Sequence, residues 1–158
     1  MKAALLARRQ RGVATLEFAF MLIIGVVPLL LLTYTGVMIM AAQQTLSLAS
    51  AEGARASLRY ASPNDRRVAA CQAAQRSMQW LLNFAGQQAN CNNAAAPPIV
   101  VSAPAPCVGL ASAQCMQVSV SYDYSSKPFL PGTGRMYGWL MTQPIRSTAV
   151  AQLDLGTP

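Results

Sequence analysis

The chain has 158 residues, of which 53% are hydrophobic and only 11% charged, less than half the roughly 25% charged residues usual in soluble domains. Histidine is absent and the five acids (Glu17, Glu52, Asp65, Asp123, Asp154) are never adjacent, so histidine triads and histidine–metal sites are excluded and paired-carboxylate chemistry is disfavoured; the expectation is a protein that is not an enzyme, with no catalytic residue, metal or cofactor. The net charge of +7 is concentrated at the start, where Lys2, Arg8, Arg9 and Arg11 stand without an acid, and the remaining bases are scattered without interleaved aromatics, which argues against a nucleic-acid partner.

A basic N-terminus followed by an apolar run is the arrangement that keeps the start of a chain in the cytoplasm. The run from Phe18 to Ala42 contains twenty-five residues and no charge. At about 1.5 Å per residue, it is long enough as a helix to cross a hydrocarbon core of roughly 30 Å, and longer than the roughly 7–15 apolar residues of a secretory signal. A transmembrane span over about 18–42 is therefore expected. Gly25 and Pro28, inside it, predict a bend or a loosened turn. Glu17 stands at its threshold, where an acid is either an inert headgroup-level residue or a functional one.

Beyond the span the helix is expected to continue to about Tyr60. Ala49, Gly53 and Ala56 recur at i, i+4 and i+7, a face of small residues that another helix can approach closely. Glu52 and Arg55 are spaced to pair at i, i+3. Ser62 and Pro63 form a helix start, with Ser as cap and Pro in the first turn. Val68, Cys71, Met78 and Leu82, widened by Trp80, Leu81 and Phe84, predict one helix closed by Gly86. Residues 87–98 read as loop, and Ile99–Val101 as a short strand. From Gln114 to Tyr124 apolar and polar residues alternate, with Met116, Val118, Val120, Tyr122 and Tyr124 on one side, which predicts a half-buried strand. A Pro- and Gly-rich loop over Lys127–Tyr137 and a last strand around Ile145–Leu155 complete an α+β head over residues 61–158. Tyr122, Tyr124, Phe129, Tyr137 and Trp139 are assigned to core and loop anchoring rather than to a ligand platform.

The four cysteines, Cys71, Cys91, Cys107 and Cys115, all lie beyond the span from the basic tip. An even count in an oxidising compartment predicts two disulfides with three connectivities open, of which sequence proximity favours Cys71–Cys91 with Cys107–Cys115. Without histidine or a CxxC spacing, a metal site is a poor reading of the same residues.

Arg8-Arg9-Gln10-Arg11-Gly12 followed by Val13-Ala14-Thr15-Leu16-Glu17-Phe18 resembles the processing site of type IV prepilin-like proteins. In that class a membrane-embedded aspartic peptidase cuts after the glycine and leaves a glutamate as the fifth residue of the product. Ala41-Ala42-Gln43-Gln44-Thr45, Ala49-Ser50-Ala51-Glu52-Gly53-Ala54-Arg55, and Cys115–Tyr122 with Lys127-Pro128-Phe129-Leu130 are similar to segments of TadE-like minor pseudopilins of tight-adherence (Tad, Flp-type) pilus systems. Residues 61–114 carry no motif of that family, and Pro28 stands later than the family's proline.

The resemblance implies a pilin-like fold in the bacterial inner membrane, with a cytoplasmic basic leader over residues 1–12 that is cleaved, an N-terminal helix over residues 13–60 and a periplasmic head. It also implies a prepilin peptidase, other pilins or pseudopilins, and an inner-membrane assembly platform as partners. Cleavage at Gly12–Val13 would remove the leader charges and free an amine at Val13, which Glu17 of a neighbouring subunit could neutralise when the helices bundle. The alternatives are a bitopic envelope protein that is never processed, with a disulfide-bonded structural or binding head, and a secreted binding protein released after Ala41 or Ala42.

Overall fold

The computed structural model describes residues 13–59, 62–133 and 143–153, with the side chains of 110–112 set aside. Lys2, Arg8, Arg9, Arg11, Gly12, Tyr60, Tyr137 and Trp139 lie outside these residues. The chain divides into two compact units, one ending at Ile39 and the other starting at Met40.

In the first unit lies most of the apolar part of helix α1, which runs over Val13–Ser57. Within it, Leu22–Val26 forms a π-turn, and the Val27 N–H reaches back to the Leu22 carbonyl. Pro28 accounts for it: the ring lacks an N–H and crowds the carbonyl four residues back, so widening the preceding turn relieves the clash. The loosened turn expected from Gly25 and Pro28 is this one. The helix closes at Ser57, short of Tyr60. There the Ser57 hydroxyl donates to the Ala54 carbonyl at 2.6 Å, and the next N–H groups, of Leu58 and Arg59, turn to carbonyls three residues back.

The second unit is an α+β head whose helical layer includes residues 40–57 of α1. Helix α2 (Pro63–Ser77) is capped by Ser62, whose hydroxyl oxygen accepts the Asp65 N–H, as its sequence predicts. The expected single helix is interrupted: Met78 leaves helical geometry, with φ −108° and ψ 18°, and a second short helix, α3 (Gln79–Ala85), follows. Met78, Leu81 and Leu82 are buried, while Trp80 and Phe84 are partly exposed. Gly86 closes α3 in the left-handed conformation (φ +64°), where a side chain would be strained. The segment expected as loop over 87–98 contains one 3₁₀ turn, Cys91–Asn93.

The sheet of the described residues has four antiparallel strands, β1 (Ile99–Val101), β2 (Ala105–Cys107), β3 (Leu110–Tyr122) and β4 (Ile145–Leu153). β3 is central. β1 and β2 pair along one of its edges, in the registers Ile99↔Val120 and Ala105↔Cys115, and β4 along the other, from Gln114↔Leu153 to Tyr122↔Ile145. β2 was not foreseeable from its pattern. It is three residues long with Pro106 at its centre, tolerable only because it is an edge strand. β3 ends two residues before Tyr124, yet Tyr124 stays buried with Met116, Val118, Val120 and Tyr122.

That face of β3 packs beneath the small residues of α1. A Cβ added to Gly53 would stand 2.9 Å from Val118 Cγ1, 3.1 Å from the Ala70 carbonyl oxygen and 3.3 Å from Ala74 Cβ. The helix approached by the face of Ala49, Gly53 and Ala56 is thus α2 of the same chain. Ala49 is buried with Gly53, and Ala56 is half-buried at the rim. Replacing Gly53 by valine is expected to destabilise the head by about 1–3 kcal/mol through overpacking. Gly53→Ala should fall between, because a helix-propensity gain of up to about 1 kcal/mol offsets its smaller clash. Urea unfolding followed by far-UV circular dichroism reads both as lowered midpoints.

Candidate functional site

The most apolar stretch of α1 is wholly unburied. Phe18, Met21, Ile23, Ile24, Leu29 and Leu32 are all exposed, with no preferred face. From Val13 to Tyr34 every residue is exposed, and a helix apolar all round belongs in lipid or among other helices. Two threonines near its end are satisfied locally: Thr33 Oγ1 donates to the Leu30 carbonyl at 2.9 Å and Thr35 Oγ1 to the Leu31 carbonyl at 2.7 Å. Such internal satisfaction is what a bilayer core demands. This is one helix near the N-terminus, long and apolar enough to span a membrane once.

Glu17 is exposed one helical turn from Val13, a rise of about 6 Å. From Phe18 to Ala51 the sequence has no further charge. The next charged residues, Glu52 and Arg55, form an exposed ion pair of 3.0 Å contributing roughly 0.2–0.5 kcal/mol. They border a small groove between α1 and α2 together with Arg59, Gln72 and Arg76.

Both disulfides lie in the head. Cys71–Cys91 ties α2 to the 3₁₀ turn and Cys107–Cys115 ties β2 to β3, the pairing that proximity favours. On chain-entropy grounds their sequence separations of 20 and 8 correspond to about 3 and about 2.5 kcal/mol. Among the described residues no cluster of three or more Cys, Asp or Glu side chains is placed to hold a metal ion.

The aromatic residues converge on one ring. Phe129 is buried, with Tyr122 stacked at 5.4 Å, Phe84 at 5.2 Å, Tyr124 at 5.6 Å and Trp80 at 6.2 Å. The Tyr122 hydroxyl donates to the Lys127 carbonyl at 2.6 Å, and the Tyr124 and Thr133 hydroxyls share a bond of 2.9 Å. These contacts fasten the loop after β3 onto the head, so Tyr122, Tyr124 and Phe129 are anchors. Trp80 and Phe84 join them although sequence pattern assigns them to a helix's core face; they follow the break at Met78, and no local signal marks that break. Asp123 starts the same loop. Its carboxylate accepts from the Ser125 hydroxyl (2.6 Å) and the Ser125 and Ser126 N–H groups, and these bonds, that of the Ser125 side chain foremost, hold its pKa below the usual carboxylate range.

An open cleft of about 720 Å³ lies beside this loop, lined by Gln87, Pro98, Ser121, Asp123 and Arg146 among others. Asp123 is engaged by its own loop, its carboxylate accepting from the Ser125 hydroxyl and from the Ser125 and Ser126 N–H groups. No protein-family model, curated protein or solved structure matches the chain.

Tyr122 carries the site's clearest pH signature. Burial, with Tyr124 and Asp123 adding to it, pushes its pKa from 10.0 up to about 12. A raised folded-state pKa means that the neutral phenol's contribution is complete below pH 10 and is lost as the pH rises toward 12. Urea midpoints measured across that window should fall more steeply for the native chain than for Tyr122→Phe, which has no proton to lose there.

Proposed function

We propose that the chain is a minor pseudopilin of the TadE-like class, with a pilin-like fold, that acts in the assembly or initiation of a Tad-type pilus serving adhesion, secretion or surface attachment. In this reading it is made as a single-span protein of the bacterial inner membrane, with the basic leader in the cytoplasm and the head in the periplasm. A prepilin peptidase cuts between Gly12 and Val13, and the product joins other pilins or pseudopilins on the inner-membrane assembly platform. The observation that carries the reading is the placement of Glu17. It is one turn from Val13, exposed on a helix that is otherwise uncharged as far as Glu52.

The physical argument runs through desolvation. Helices leaving lipid to bundle bury apolar surface, at roughly 25 cal/mol per Å². A lone carboxylate inside such a bundle opposes that burial, and so does a lone amine. Paired between neighbouring subunits, they offset one another's desolvation. Cleavage supplies the amine and removes the four leader charges that hold the N-terminus at the cytoplasmic surface. Two fastened disulfides suit a head that folds in an oxidising compartment.

Mass spectrometry of the protein recovered from its native host should find a chain beginning at Val13, and the uncut chain when the peptidase is deleted. Glu17→Gln should insert and be cut normally but fail to enter the filament. An intact N-terminus in the presence of the peptidase would leave an unprocessed bitopic envelope protein in its place.

A further inference from the structure

Two aromatic side chains of α3 stand partly outside the head. Trp80 is 39% exposed and Phe84 49% exposed, although both rings pack on buried Phe129. Large rings of this kind normally contribute by being covered. Their position along α1 indicates what covers them.

Trp80 is fixed in place by a chain of two hydrogen bonds. Its indole Nε1–H donates to Thr45 Oγ1 at 3.1 Å, and the Thr45 hydroxyl donates to the Ala41 carbonyl at 2.9 Å. Ala41 belongs to the last turn of the uncharged apolar run, which ends at Ala42, and Thr45 stands three residues beyond that end, a rise of about 4.5 Å. The indole is therefore held where α1 passes from apolar to polar sequence. Leu48, one turn further on the face of Thr45, is also exposed.

Amphipathic rings collect at this depth in membrane proteins, because the headgroup boundary solvates both an apolar ring and its polar edge. We infer that Trp80 and Phe84 are an interfacial anchor: in the membrane-inserted subunit they lie at the headgroup–acyl boundary on the head's side and seat the head on lipid. The inference rests on α1 crossing the bilayer with its span ending near Ala42. The occupant is lipid because Trp80 is bonded at Thr45, three residues past the end of an apolar run, with no charged residue between Phe18 and Thr45.

The test uses the full-length chain in phosphatidylcholine vesicles carrying bromine at shallow or deep acyl positions. Trp139→Phe leaves Trp80 as the sole tryptophan. A separate probe, Leu32→Trp in a Trp80→Phe, Trp139→Phe background, reports on the span. Trp80 emission should be blue-shifted and quenched most by shallow bromines, whereas the Leu32→Trp probe should be quenched most by deep ones. Should Trp139→Phe lower stability, the difference in quenching between the native chain and Trp80→Phe gives the same reading. A quenched Leu32→Trp probe beside an unquenched Trp80 would overturn the anchor alone; if the Trp80 emission were still blue-shifted, protein rather than lipid would be its cover. No quenching of either probe would remove the span, and the anchor with it.

Discussion

At Gly53 the missing side chain sets how closely α1 can lie on the rest of the head. A single added carbon would collide with Val118 on β3 and press on Ala70 and Ala74 of α2, so three elements meet at one backbone position. Ala49 and Ala54 extend this close seat along the helix and are buried with it. The helix brings little apolar bulk of its own here; Leu46 is its one large side chain fully buried in the head. What it provides at Gly53 is a smooth surface on which Val118 from the sheet and Ala70 and Ala74 from α2 come to rest. The division of the chain at Ile39 and Met40 follows, since residues 40–57 complete the head's core and could not be separated without exposing it.

The part of α1 from Val13 to Tyr34 obeys the opposite rule, with apolar bulk on every side and every residue exposed. A segment of this kind has few ways to carry polar groups at low cost. Thr33 and Thr35 return their hydroxyl protons to the helix backbone, and the π-turn at Leu22–Val26 absorbs the steric demand of Pro28. Glu17, at the threshold of the apolar run, has no side-chain partner of this kind among the described residues, and a carboxylate there becomes costly only when it is drawn into an apolar surround.

Much of this organisation was legible in the residues because local chemistry decided it. Ser62 and Pro63 could only begin a helix, Gly86 could end one, and the alternation from Met116 to Tyr122 fixed which face of β3 is buried. The span was equally plain, since length and absence of charge are properties of the sequence alone. What was not legible depended on contacts between distant segments. β2 exists because β3 is long enough to offer it a partner, not because Ala105-Pro106-Cys107 favours extension. Trp80 and Phe84 follow the break at Met78 and pack on Phe129, some 45 residues away in the chain, a partner that periodicity cannot name. Gly53 was recognisable as part of a small-residue face, but the sequence could not tell whether the approaching helix came from the same chain.

The covalent links of the head leave α1 out: both disulfides join segments that follow it. Its register against the head is therefore held by non-covalent contacts at successive heights, Trp80 on Thr45, Ser147 on Ser50 at 3.0 Å, and Val118 on Gly53. Hydrogen bonds of the first two kinds are each worth only about 0.5–1.5 kcal/mol and re-form elsewhere at modest cost. The third contact does not. A slip of α1 by one turn in either direction would bring Ala49 or Ser57 opposite Val118, and each carries the Cβ for which there is no room. Resistance to axial sliding thus comes less from attraction than from the exclusion of the neighbouring registers at Gly53.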